Sequence, residues 1–118
     1  MRERDVERIL REEVKKSGGL AYKWVSPGND GVPDRIVILP NEAPIFVELK
    51  AEGGRLSKIQ EAQINRLVKL GQRVYVVTGL EGLEAFFENV GMTDAWMRLR
   101  GRRTGRVYVK KDVGEYGI

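Results

Sequence analysis

The residues best suited to chemistry in this chain lie between Asp34 and Lys50. Glu48 follows Asp34 by 14 positions, and Lys50 lies two residues beyond Glu48 in the segment "IFVELK". Alternate side chains of a strand share one face, so Glu48 and Lys50 are predicted to be neighbours about 7 Å apart. If "RIVIL" and "IFVELK" form an antiparallel hairpin, Asp34 lies beside them at one end of the sheet. Two carboxylates and a lysine there predict a site for a hard divalent cation.

A divalent cation at this site would neutralise the carboxylates, polarise a phosphate and lower the pKa of a bound water. The lysine would orient that water or stabilise charge that develops on the phosphorus centre. The composition narrows the chemistry, because the 118 residues include no His and no Cys. This excludes a Ser-His-Asp triad, a cysteine nucleophile, a histidine base and a Cys/His zinc site. A metal must be held by oxygen ligands, which favours magnesium, calcium or manganese.

Two other interpretations of the same residues stay open. One is a structural protein in which Asp34, Glu48 and Lys50 form an ion network around a Glu48–Lys50 salt bridge. The other is a nucleic-acid-binding module without catalysis, based on the basic tail and the aromatic side chains. The structural network predicts no metal binding at Asp34 and Glu48. The binding module predicts DNA binding that survives loss of Asp34, with no cleavage in any metal.

The net charge of +4 is concentrated near the C-terminus. Residues 1–92 contain 14 basic and 14 acidic residues, whereas residues 93–118 contain seven basic and three acidic ones. DNA would be attracted to that end, although a merely solvated tail fits the charge equally well.

The length predicts one domain, and no apolar run is long enough to span a membrane. The charged N-terminus is unlike a secretory signal, so no membrane partner is expected.

The hydrophobic pattern predicts an α/β fold with a central mixed β-sheet flanked by helices. Helices are predicted at about Glu3–Ser17, Ser57–Leu70 and Leu80–Asn89. The predicted strands are "LAYKWVS", "RIVIL", "IFVELK" and "RVYVVT". The last two enclose a helix in a βαβ unit, so they should be parallel. The order is αβββαβα, followed by a basic tail in which "RVYVKK" is a candidate edge strand.

The motif itself points to a known family. The "PD" of the chain, followed 14 residues later by "ELK", resembles the PD-(D/E)XK nuclease signature. The segments "YKWVSPGNDGVPDRIVI", "FVELKAEGGRLSKIQ" and "GQRVYVVTG" resemble the VRR-NUC subfamily, particularly its small stand-alone members in bacterial viruses and prophages. The resemblance covers about residues 3–90. It implies a restriction-endonuclease-like core and a Mg²⁺- or Mn²⁺-dependent endonuclease that hydrolyses phosphodiester bonds, often in flaps, branched DNA or Holliday junctions.

The resemblance also assigns roles to individual residues. By motif position, Asp34 and Glu48 would be metal ligands, the backbone carbonyl of Leu49 could be a further ligand, and Lys50 would be the catalytic lysine. Gln60 would point into the site from the first turn of its helix. The family also has a glutamate on the first helix. Its register prefers Glu7 as a further catalytic and metal-binding residue, but Glu3, one turn earlier, lies on the same side of the helix.

DNA contacts are predicted on three segments. The resemblance implies Lys23 and Ser26, which fall where the subfamily has similar residues. Arg55 and Lys58 flank a Gly-rich turn at a helix N-terminus, where they would favour a phosphate or are simply solvated, and the basic tail adds Arg102 and Arg103. Tyr22 and Trp24 alternate with Lys23, so the two aromatics either belong to the core or stack on bases. The two aromatic side chains lie on the opposite face of the strand from Lys23, so the aromatics and the lysine cannot both point at DNA.

The tail departs from the family pattern at Thr93. We expect residues 1–92 to form the nuclease domain and residues 93–118 an extension of the same domain that acts as a dimer arm or a DNA contact. Cutting two strands requires two sites, so a homodimer is expected, with Trp96, Met97 and Leu99 as apolar contacts. The alternative is that the tail folds back on its own core. A phage-type nuclease would act on DNA in the cytoplasm of a bacterial host cell.

Overall fold

A computed structural model describes the backbone of residues 1–104 and 114–115, with side chains described up to residue 101. The predicted order αβββαβα is present, with a further helix and a short strand after it. The elements are α1 Glu3–Lys16, β1 Leu20–Lys23, β2 Arg35–Ile38, β3 Ile45–Lys50, α2 Lys58–Lys69, β4 Arg73–Thr78, α3 Gly79–Asn89, α4 Thr93–Thr104 and β5 Gly114–Glu115.

The strands form one mixed sheet in the order β1-β2-β3-β4-β5. The first three strands are antiparallel neighbours, and β3 and β4 are parallel, which confirms the predicted hairpin and the βαβ unit. The short β5 pairs antiparallel with β4. The predicted edge strand "RVYVKK", residues 106–111, lies outside the described residues. Within residues 1–104 and 114–115, none of the helices has the length and apolar character needed to cross a bilayer.

The main core lies on the sheet face that carries Ile45, Val47 and Leu49. These alternate residues of β3 are at most 1% exposed, and helices α1 and α3 pack over them. Helix α1 forms because its apolar residues recur at helical spacing and lie on one buried stripe. The buried residues of that stripe are Val6, Ile9, Leu10 and Val14. This packing fixes the N-terminal turn of α1 beside the end of β3 where Glu48 and Lys50 lie.

The opposite face of the sheet is covered more thinly. Phe46, Glu48 and Lys50 of β3 share this face, and of the α2 side chains only Ile64 is fully buried. Ile59 at the start of α2 is 50% exposed, so this apolar side chain lies outside the core. Trp24 is half-buried and packs on the Phe46 ring, with 5.3 Å between centroids. Tyr22 is 57% exposed, so it is not part of the core.

Helix α4 joins the first residues of the tail to the core. It packs against α3, and its Ala95 and Leu99 side chains are 0% and 2% exposed. Arg98 Nε donates to Glu13 Oε1 at 3.1 Å, which ties α4 to α1. Leu99 is therefore not available to a partner chain, whereas Met97 is 59% exposed. The division of the chain at residue 92 stays a prediction, but the helix after it shares the same core.

We expect Leu99→Ala to destabilise the protein by about 2–4 kcal/mol, because it removes a buried side chain and leaves a cavity. Met97→Ala on the same helix is the matched control, and at a protein concentration low enough to keep the chain monomeric it should change the free energy of unfolding by less than about 0.5 kcal/mol. Urea unfolding of both variants measures the difference. Equal effects of the two substitutions would mean that α4 does not stabilise the core.

Candidate active site

The hairpin of β2 and β3 places Asp34 beside the end of β3. Arg35 is paired with Val47, so the residue before β2 lies next to Glu48. Asp34 Oδ2 accepts a hydrogen bond of 2.8 Å from the backbone N–H of Leu49. This bond fixes the Asp34 carboxylate at the strand end where Glu48 and Lys50 share one face. The sequence spacing thus brings together the three residues that it singled out.

Glu48 is the buried centre of the site, with 2% of its surface exposed. Gln60 Nε2 donates to Glu48 Oε2 at 3.0 Å, and Lys50 Nζ lies 3.5 Å from the same oxygen. The Lys50 side chain is also largely buried, at 16% exposed. Both contacts are to Oε2 of the carboxylate. The arrangement fixes the orientation of Glu48 while the lysine ammonium stays beside it.

Gln60 has this position because of the way that α2 begins. Ser57 caps the helix, and its side chain accepts from the Gln60 backbone N–H at 3.2 Å. Gln60 Oε1 in return accepts from the Ser57 backbone N–H at 2.9 Å, so the predicted capping box is present. The Gln60 amide therefore uses its oxygen to hold the start of α2 and its nitrogen to hold Glu48.

Burial of the carboxylates dominates the electrostatics of the site. Burial, and then the negative charge of Asp34, raise the pKa of Glu48, and with the opposing effect of Lys50 it reaches about 7. Burial also raises the pKa of Asp34, against the effect of the Leu49 N–H. The pKa of Glu3 is raised by burial and then by Asp34. The positive charge of Lys50 does not fully offset the burial and mutual repulsion of these carboxylates. The cluster therefore still favours the binding of a further cation.

These pKa shifts predict that the metal-free protein loses stability as the pH rises. Between pH 4.5 and 7 the folded state keeps a proton on Glu48 that the unfolded chain has released, so the free energy of unfolding falls with pH. For Glu48 this loss amounts to at most about 3 kcal/mol. Urea unfolding in EDTA from pH 5 to pH 8 measures it. Glu48→Gln should flatten the curve, and a curve parallel to that of the unaltered protein would contradict this prediction.

Arg35 was not singled out by the sequence, yet it determines the position of Glu7. Its Nε donates to Glu7 Oε2 at 3.1 Å, and its Nη1 donates to the Ala21 carbonyl at 3.0 Å. Glu7 is close enough to raise the pKa of Asp34, and Glu3 raises the pKa of Glu48. Both candidate helix glutamates therefore lie near the site, and Glu7 is held there by an arginine. The feature of the sequence that could have pointed to Arg35 is its position directly after Asp34.

The predicted DNA contacts lie on separate segments, and Lys23 does not share a sheet face with Glu48, because it pairs with Arg35 and Arg35 pairs with Val47. Lys23 on β1 is exposed, as are Arg55 and Lys58 beside the start of α2. Ser26 is half-buried, and its Oγ accepts from Asn29 Nδ2 at 2.9 Å. Arg102 and Arg103 fall within the backbone of α4, but their side chains lie outside the described residues.

Comparisons with known proteins agree with the fold and the motif. A family model described as the VRR-NUC domain matches residues 2–81. A protein of Acyrthosiphon pisum secondary endosymbiont phage 1 named "Putative nuclease p44" is 51% identical over 77 residues, which are 65% of this chain and 83% of the relative. A solved structure of a VRR_NUC domain superposes with a TM-score of 0.59 at 31% identity, over 65% of this chain and 83% of that one. Because the family match covers more than half of the sequence and includes every residue from Asp34 to Gln60, the chain belongs to the VRR-NUC domain family.

Proposed function

We propose that this chain is a divalent-metal-dependent endonuclease that hydrolyses phosphodiester bonds in DNA, with a preference for flaps, branched DNA or four-way junctions. Membership of a nuclease domain family supports a hydrolase that acts on DNA. The observation that carries the proposal is the acidic pair of the half-buried Asp34 and the buried Glu48, with Lys50 beside Glu48. The relative from a phage supports action inside a bacterial host cell, in its cytoplasm.

The donor set fits a hard cation such as Mg²⁺, for which Mn²⁺ can substitute. Asp34 and Glu48 would hold it through carboxylate oxygens, with the Leu49 carbonyl and a helix glutamate, Glu7, as further candidates. Within residues 1–104 and 114–115 no three acidic side chains are placed to hold a metal ion together. Glu7 Oε2 accepts from Arg35 Nε at 3.1 Å, so Glu7 would join Asp34 and Glu48 as a ligand only by leaving this arginine. When bound, the ion would polarise the phosphate and lower the pKa of an attacking water.

The side chains of the site have separable tasks in this proposal. Lys50 presents its ammonium beside the acidic pair, where it stabilises negative charge on the phosphate as the new P–O bond forms. Gln60 orients Glu48 by its 3.0 Å hydrogen bond. The Leu49 N–H orients Asp34 in the same way. Burial of the Glu48 and Lys50 side chains lowers the local dielectric constant and so strengthens these electrostatic interactions.

The electrostatics favour a catalytic site over a structural ion network. In a network built for stability, the lysine would more than offset the burial of Glu48 and lower its pKa. The pKa of Glu48 is instead raised to about 7, so the ionisation of Glu48 reduces the stability of the metal-free protein as the pH rises towards neutral. Retaining such a destabilising arrangement is typical of functional sites.

The experiment that tests the proposal is cleavage of linear, flap, nicked and four-way-junction DNA with Mg²⁺, Mn²⁺ or EDTA. We expect cleavage with both metals, none in EDTA, and faster cleavage of branched substrates than of linear duplex. Binding without any product would support the non-catalytic module, provided that Asp34→Asn binds DNA as tightly. Absence of both binding and cleavage would support the structural network. Equal rates on all four substrates would remove the preference for branched DNA.

The contacts proposed for DNA are Lys23, Ser26, Arg55, Lys58, Arg102 and Arg103. The cationic side chains among them should bind backbone phosphates. This binding releases counterions from the DNA, so the affinity for DNA falls as the salt concentration rises. Arg55→Gln and Lys58→Gln should therefore weaken binding on every substrate and reduce the salt slope by about one for each lost contact. Ser26 would donate its hydroxyl to a phosphate oxygen.

We also propose that the active species is a homodimer, since cutting two strands requires two symmetry-related sites. Met97 on α4 and the edge strand β1, where Leu20 is 48% and Tyr22 57% exposed, offer apolar surface for a second copy. Leu99 cannot contribute, because it packs in its own core.

Sedimentation equilibrium at tens of micromolar tests the dimer. The full chain should have twice the mass of one protomer, and Tyr22→Ser or Met97→Ser should shift it towards the monomer. Truncation at Gly91 is a poor test, because it removes the buried residues Met92, Ala95 and Leu99 and would unfold the core. A full chain that sediments as a monomer would contradict the proposal.

A further inference from the structure

The loop before Asp34 is in close backbone contact with the first turn of α2. Gly31 adopts φ +85°, and a methyl group on it would lie 2.9 Å from the carbonyl carbon and oxygen of Ile59. The same methyl group would lie 3.1 Å from the Gln60 backbone nitrogen. Both a positive φ and this close approach require glycine. The two backbones thus meet at the residue that holds Glu48.

A second contact fixes the same loop to α2 one residue earlier. Gln63 Nε2 donates to the Asp30 carbonyl at 3.0 Å. Gln63 is three residues after Gln60 and so lies on the same side of the helix. The loop clasp, defined as Asp30, Gly31 and Gln63, therefore holds α2 from the side on which Gln60 reaches the site.

The clasp matters because the first turn of α2 has no buried apolar side chain of its own. Ile64 is fully buried and Leu67 and Val68 are half-buried further along the helix, whereas Ile59 in the first turn is 50% exposed. Gln60 lies in this turn, and its 3.0 Å hydrogen bond to Glu48 weakens as distance and angle depart from the optimum.

We propose that Gly31 and Gln63 are positioning residues of the nuclease site, which act through the loop clasp by setting Gln60 against Glu48. The inference rests on the proposed function for its effect on cleavage, but its structural part concerns the metal-free protein alone. The clasp joins the loop that leads to Asp34 to the helix that carries Gln60, so it couples the two supports of the acidic pair. A displacement of about 1 Å there is expected to reduce catalysis up to about a hundredfold.

Gly31→Ala tests the close approach, with Gly71→Ala as its matched control. Gly71 has φ +81° at the other end of α2, and a methyl group there meets nothing within 4 Å. Both substitutions place a residue with a Cβ at a positive φ, which destabilises the backbone to a similar extent. Only Gly31→Ala also brings a methyl group against the backbone of Ile59 and Gln60. We expect Gly31→Ala to lower kcat about ten- to a hundredfold on Mg²⁺-activated cleavage with little change in KM, and Gly71→Ala to leave kcat within about twofold.

Gln63→Met tests the hydrogen bond and covers the case in which Gly31→Ala does not fold. Its matched control is Gln72→Met, since Gln72 Nε2 donates to the Leu70 carbonyl at 3.3 Å away from the site. Gln63→Met should lower kcat about three- to tenfold, and Gln72→Met should not. Gln63→Lys restores a donor to the Asp30 carbonyl and should recover most of the rate.

The readout that does not depend on activity is the side-chain amide signal of Gln60 in ¹H–¹⁵N spectra of the metal-free protein. Gly31→Ala and Gln63→Met should shift this signal and speed its hydrogen exchange, whereas the two controls should leave it in place. An unchanged Gln60 signal in both clasp variants would overturn the inference. If the unaltered chain cleaves no DNA, the proposed function fails, while the spectra still decide whether the clasp positions Gln60.

Discussion

Glu48→Gln is expected to lower kcat for DNA cleavage at least about a thousandfold while leaving the protein folded. Glutamine has the shape of glutamate but lacks the negative charge that would hold a divalent cation beside Asp34. It can still fill the buried position, where Glu48 is 2% exposed. The measurement is the single-turnover rate on a four-way junction at saturating Mg²⁺, together with the thermal midpoint in EDTA.

The same substitution should raise stability above neutral pH, because it removes the buried charge whose pKa is about 7. Loss of activity with a gain in stability is the mark of a functional group that the fold does not need. Glu84→Gln is the matched control, since Glu84 is a glutamate 1% exposed on α3 that takes no part in the proposed site, and its kcat should stay within about twofold.

Asp34 and Glu48 should act as one unit in this experiment. Asp34→Asn retains an oxygen to accept from the Leu49 N–H, so it removes charge with little change in the hydrogen bonding. We expect the Asp34→Asn, Glu48→Gln double variant to be little slower than either single variant, because each already abolishes the same metal site. Independent, multiplicative losses would mean that the two carboxylates act in separate steps.

The core of the site could be predicted from the sequence because its geometry is local. The period of two along β3 puts Glu48 and Lys50 on one face, and a hairpin from β2 brings Asp34 to the same end. The capping box likewise needs only Ser57 and its neighbour three residues later. These relations depend on backbone periodicity, which a sequence pattern records directly.

The remaining features depend on contacts between segments far apart in the chain. Nothing in the helical spacing shows that Arg35 holds Glu7, because the pair forms only when α1 packs on the sheet. Ile59 and Ile64 are both apolar residues of α2, yet Ile59 is 50% and Ile64 1% exposed, and only the placement of the helix on the sheet distinguishes them. The close approach of Gly31 to α2 is likewise invisible until both backbones are placed.

Lys50→Gln should separate catalysis from metal binding. We expect it to lower kcat about a hundred- to a thousandfold, because the ammonium no longer stabilises charge on the phosphate. Its affinity for Mn²⁺ in calorimetry at pH 8 should stay within about threefold or become tighter. Lys50 Nζ lies 3.5 Å from Glu48 Oε2, so its positive charge repels a divalent cation that binds this carboxylate.

The contrast with the carboxylates makes this prediction specific. Asp34→Asn and Glu48→Gln should lose Mn²⁺ binding together with activity, whereas Lys50→Gln should lose activity alone. Lys69→Gln, an exposed lysine at the far end of α2, is the control for net charge and should alter neither quantity. If Lys50→Gln lost Mn²⁺ affinity as fully as the two carboxylate variants, the lysine would be a structural support for the acidic pair, and charge stabilisation at the phosphate would have to come from the cation alone.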